Sequence, residues 1–115
     1  MTPNKSIFIP LLLFIAFASD CPDDFISIEN DCYYKKHLDV LQDFIEKNES
    51  LRDMEPQDIG TQEWKNGKLT YLYLGDHLLT ALPDSIGSLS SLNRMDIRKN
   101  QITEIPEGIC NLFPY

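Results

Sequence analysis

The chain has 115 residues, room for one small domain and not two. It carries 10 basic and 18 acidic residues, a formal charge of −8. No basic stripe is present to hold phosphate, so nucleic acid and anionic lipid are poor main partners. With 43% hydrophobic and 24% charged residues, the composition is that of a globular chain, not a disordered one.

Residues 1–18 read as an address. Lys5 precedes an apolar run from Ile7 to Ala18, broken only by Pro10, and Ala16-Phe17-Ala18 offers small residues where a signal peptidase cuts. The run is short for a bilayer span, so a secretory signal peptide is expected and an uncleaved anchor is the alternative. Lipidation of Cys21 is disfavoured by the charged Asp20 before it. Cleavage removes Lys5 and leaves 9 basic and 18 acidic residues, a charge of −9. The acid is concentrated: residues 19–63 hold 4 basic and 13 acidic residues, and residues 64–115 hold 5 of each.

Cys21 and Cys32 lie eleven apart at the start of the mature chain. In a secreted protein that spacing reads as one disulfide loop, stabilising by roughly 2–3 kcal/mol through chain entropy. Cys110 is left over. Cys21, Cys32, His37 and His77 lack the short paired spacings of a zinc site. The acids around Asp23, Asp24 and Glu29 lack the alternation and central Gly of a calcium loop. No metal or cofactor is expected.

Leu38, Leu41, Phe44 and Ile45 then recur at helical spacing, with Asp39, Asp43 and Glu46 on other faces, which predicts an amphipathic helix of about three turns. Asn48-Glu49-Ser50 marks its end and is also a glycosylation triplet. Next, Asn66-Gly67 lies between strand-like flanks, a two-residue hairpin signal because both positions tolerate positive φ. That hairpin sets Trp64 on a strand antiparallel to the one starting at Leu69.

From Leu69 onward the chain repeats with a period of 23. Leu69, Leu72, Leu74, Leu79, Leu82, Pro83, Ile86 and Leu89 correspond to Leu92, Met95, Ile97, Ile102, Ile105, Pro106, Ile109 and Leu112. Every apolar position falls on an apolar one, and proline on proline. A fixed repeat of this length signals a solenoid. The two segments, LTYLYLGDHLLTALPDSIGSLSS and LNRMDIRKNQITEIPEGICNLFP, follow LxxLxLxxNxLxxLPxxIxxLxx and resemble the leucine-rich repeat family. The resemblance implies an α/β solenoid: a parallel sheet on a concave face that binds ligand, and an N-terminal helix and β-hairpin cap. It also implies a polar ladder at the Asn position. Asn100 fits that position, whereas His77 departs from it.

The expected organisation is a signal peptide (1–18), a cap (19–68) of disulfide loop, helix and Trp64 hairpin, and repeats at 69–91 and 92–114. The cap looks similar to those of secreted leucine-rich repeat proteins, with Trp64 in a structural role. A third repeat would begin at Tyr115, so a fragment of a longer solenoid or a truncated gene product is expected. The C-terminal end, with Leu112, Phe113 and Tyr115, is then a surface for self-association.

Catalytic arrangements are lacking. There are two histidines, no Gly-x-Ser-x-Gly elbow and no phosphate-binding Gly-rich loop. No catalytic residue and no small-molecule substrate are expected. Binding has the better case. Between the inward leucines lie Tyr71, Tyr73, Arg94, Asp96 and Arg98, with Tyr71 beside Arg94 and Tyr73 beside Asp96 on strands about 4.8 Å apart. Tyr and Arg anchor interfaces through large area and directed hydrogen bonds. The expected function is that of a secreted or surface-exposed module binding a protein or peptide. The alternatives are the ectodomain of a larger, receptor-kinase-like protein and a non-functional gene fragment.

Overall fold

A computed structural model describes residues 20–112. The signal-peptide expectation for residues 1–18, and the expectations for Phe113 and Tyr115, lie outside the described residues. In chain order the elements are β1 (Phe25–Ile28), β2 (Asp31–Tyr34), α1 (Lys35–Lys47), β3 (Thr61–Lys65), β4 (Lys68–Tyr73) and β5 (Arg94–Asp96), with short 3₁₀ turns between them.

The strands β1 and β2 form an antiparallel hairpin turned at Glu29 and Asn30, both at positive φ. A disulfide joins Cys21, ahead of β1, to Cys32 on β2, with Cα atoms 5.7 Å apart. A disulfide is compatible with an extracellular location. The second sheet has the order β3–β4–β5. β3 and β4 are antiparallel around Asn66 and Gly67, at φ 54° and 81°, the left-handed pair that a tight hairpin requires.

The solenoid expectation is corrected here. The described residues build one helix and two small sheets of two and three strands, not a repeat array. β4 and β5 are a parallel pair whose partners lie 23 apart: Tyr71 with Arg94, Leu72 with Met95 and Tyr73 with Asp96. The other neighbour of β4 is the antiparallel β3. A solenoid stacks like units in succession through parallel neighbours, and among the described residues β4 and β5 are the one parallel pair. Burial shows the consequence. Leu72, Leu74, Leu79, Ile86 and Leu89 are fully buried, while Met95, Ile97, Ile102, Ile109 and Leu112 are only partly so. Leu82 is 4% exposed and its counterpart Ile105 57%.

The core therefore centres on the first unit. α1 contributes Leu38, Leu41, Phe44 and Ile45, as the periodicity predicts, together with Val40 and His37. Leu51 and Ile59 complete the cover over Leu69, Leu72 and Leu74. Behind the sheet the 3₁₀ turns Asp84–Ser88 and Glu107–Asn111 stack closely. A Cβ on Gly87 would come 2.6 Å from the carbonyl oxygen of Gly108, so this contact requires glycine.

Equivalent truncations at the two ends of this burial gradient will differ in cost. Leu82→Ala is expected to destabilise the chain by about 2–4 kcal/mol in urea unfolding, and Ile105→Ala by under about 1 kcal/mol. Equal losses would contradict the asymmetric core.

Candidate functional site

The outward side chains of the three-stranded sheet form the candidate interface. The register sets Tyr71 beside Arg94 and Tyr73 beside Asp96. The Arg94 guanidinium lies over the Tyr71 ring, 5.3 Å from its centroid. Arg98 donates through Nε and Nη2 to the two Asp96 carboxylate oxygens, at 3.0 and 2.8 Å. These side-chain hydrogen bonds, with the Arg98 backbone N–H on the same carboxylate, hold the Asp96 carboxyl below its ordinary range. The Tyr73 ring meets the His77 ring edge-on at 6.4 Å. A shallow groove of about 340 Å³ runs past Glu63, Thr70, Tyr71, Asn93 and Arg94. Glu63, Thr70 and Asn93 were not legible as members. Glu63 reaches the groove because a bulge at Glu63/Trp64 shifts the β3–β4 pairing, and no sequence feature marks that shift.

Side chains that support this face satisfy backbone groups at turns. Asn100 Oδ1 accepts from the N–H groups of His77 and Leu79, at 3.0 and 2.9 Å. Its Nδ2 donates to the carbonyls of Leu74 and Ile97, each at 2.8 Å. His77 makes no equivalent bridge, because its Nδ1 folds back on the Gly75 carbonyl at 2.6 Å. Asn48 makes a comparable bridge from the end of α1. Its Oδ1 accepts from Thr80 and Ala81 N–H at 2.8 and 3.2 Å, and its Nδ2 donates to the Phe44 and Ala81 carbonyls at 2.9 Å each. Asn48 is 1% exposed, so the nitrogen that glycosylation would modify is committed to the fold.

Trp64 faces the interior side of β3, partly buried against the core. Its Nε1 donates to Gln62 Oε1 at 2.8 Å, and its ring meets Tyr33 at 4.9 Å. It is remote from the tyrosine and arginine row in register, standing opposite Leu69.

His37 is fully buried in the first turn of α1. Its Nδ1 accepts the Leu69 backbone N–H at 3.1 Å, and the Tyr34 ring packs on it edge-on at 4.8 Å. That acceptor role places the proton of the neutral ring on Nε2, which has no hydrogen-bond partner among the described residues. Burial, and then the charges of Lys68 and Lys36, lower the imidazole pKa to about 4.

Among the described residues no three His, Cys, Asp or Glu side chains converge as metal ligands, and no helix is long and apolar enough to cross a membrane. Cys110 is an exposed thiol. Comparison with known proteins found no matching family model, no matching curated protein and no matching solved structure.

The His37 geometry predicts acid sensitivity with a definite sign. The unfolded imidazole titrates near 6.5 and the folded one near 4, so the unfolded state binds the extra proton. Stability is complete above about pH 6.5 and is lost as pH falls toward 4, by up to roughly 3 kcal/mol. Urea midpoints taken from pH 7 to pH 4 should fall more steeply for the wild type than for His37→Gln, which keeps an acceptor but does not titrate. Parallel curves would remove His37 from the account.

Proposed function

We propose that this chain is a protein- or peptide-binding module, secreted or surface-exposed, that recognises its partner with the outward face of the β3–β4–β5 sheet. The observation that carries the reading is the ordered row on β4 and β5: Arg94 stacked on Tyr71, and Arg98 paired with Asp96 beside Tyr73. Aromatic and guanidinium groups prearranged on a flat sheet present large contact area and fixed donors at low entropic cost. Such a row suits a polypeptide rather than a small molecule, because the neighbouring groove is shallow and open. The row spans two parallel strands, and Thr70 on β4 with Glu63 on the antiparallel β3 extends the footprint.

The test is selection from a displayed random-peptide library on the full chain. Tyr73→Ala combined with Arg94→Ala should weaken selected peptides at least about tenfold, as expected for interface anchors, with circular dichroism unchanged. Peptides that bind the double variant as tightly as the wild type would move the site elsewhere.

Self-association is the second reading. It is favoured by the incompletely covered apolar row Met95, Ile97, Ile102, Ile105, Ile109 and Leu112. Sedimentation velocity should show concentration-dependent dimers that Ile105→Lys abolishes; a monomer at every concentration tested would reject this reading.

A further inference from the structure

At the disulfide end of the molecule an open cleft of about 490 Å³ lies between the β1–β2 hairpin and the β3–β4 turn. Pro22, Phe25, Asp31, Tyr33, Trp64 and Gly67 are among the residues that line it. None of them belongs to the sheet-face row, so the cleft is independent of the function proposed above.

Its walls are held in place. Trp64 and Tyr33 meet edge to face, with ring planes at 90° and centroids 4.9 Å apart. The indole is pinned by its hydrogen bond to Gln62, whose amide in turn donates to the carbonyls of Pro56 and Ile59 at 2.9 and 2.8 Å. The neighbouring Cys32 is fixed by the disulfide. At the floor the two hairpins touch: a Cβ on Gly67 would come 2.6 Å from the Phe25 ring and 2.8 Å from the Cys32 carbonyl. A site whose walls are already ordered loses little entropy on binding.

The charge on the Tyr33 side of the cleft is negative. The Tyr33 phenol is pushed up first by burial and then by the carboxylates of Asp31, Glu29 and Asp58. Residues 19–63 as a whole carry 13 acidic and 4 basic side chains. Ring faces are themselves electronegative and attract cations. The same molecule uses that attraction twice within itself, with Lys68 Nζ 5.0 Å from the Tyr34 ring and Arg94 5.3 Å from the Tyr71 ring. Among the described residues no lysine or arginine is stacked on Tyr33 or Trp64 in this way. The pair therefore combines fixed aromatic walls, a flanking carboxylate and a negative field with no internal cation in place. We propose that the cleft is a binding site for an organic cation, a quaternary ammonium or guanidinium head seated on Tyr33 and Trp64 with Asp31 as its counter-charge.

Trp64 is the single tryptophan of the chain, so intrinsic fluorescence reports directly on the cleft. The full chain would be titrated with tetramethylammonium chloride and, separately, with an oligo-arginine peptide. Sodium chloride at matched ionic strength and neutral 3,3-dimethyl-1-butanol serve as controls. A saturable emission change is expected with the organic cations and with neither control. Asp31→Asn should weaken it roughly threefold to tenfold, the range for one flanking charge near a ring site, and Tyr33→Leu should abolish it. Tighter binding of the peptide than of tetramethylammonium identifies a polypeptide side chain as the natural occupant; the reverse identifies a free small cation. The proposal is overturned if the neutral isostere gives the same change, if no change saturates, or if Asp31→Asn binds as the wild type does. Asp31 is exposed, so that variant decides the matter even where Tyr33→Leu fails to fold.

Discussion

The structure depends on covering one side of β4. Leu69, Leu72 and Leu74 present an apolar edge that β5 alone does not seal, and a sheet of this size is not stable with that edge in water. α1 meets the need with Leu41, Phe44 and Ile45, while Leu51 and Ile59 close the remaining gap. The antiparallel β3 then occupies the strand edge opposite β5. That choice has a consequence for the whole molecule. An antiparallel neighbour ends the run of parallel strands on that side, and the one parallel pair of the sheet is β4 with β5.

Closing the core this way leaves backbone groups at turns that only side chains can satisfy, and a buried unpaired N–H or carbonyl is costly. Asn100 takes on five such groups between the two units, and Asn48 four between α1 and the first unit. His37 serves a third junction, accepting the Leu69 N–H from inside the helix. Because an imidazole titrates and an amide does not, this junction couples the fold to acidity.

The uneven charge of the chain maps onto two surfaces of different character. The acidic section, with its disulfide and Tyr33, meets Trp64 and the β3–β4 turn to frame the cleft proposed for a cation. The neutral half carries the sheet face, where arginine and carboxylate already pair with each other and with tyrosine. The two surfaces share no residues, so one binding event does not by itself exclude the other.

Much was legible from the residues because it rests on local spacing. The helix follows from Leu38, Leu41, Phe44 and Ile45, the hairpin from Asn66-Gly67, the loop closure from Cys21 and Cys32, and the parallel register from the 23-residue offset. These are properties of short segments or of their repetition, and chain chemistry settles them. What only the tertiary structure decided are relations between segments. A bulge at Thr70 of β4 brought Glu63 into the groove, and Asn48 became a buried bridge instead of a surface triplet. Tyr33 met Trp64, and the second unit packed only partly against a core that centres on the first. Each depends on which surface lies opposite, and a periodic pattern states that a face must be covered without stating by what.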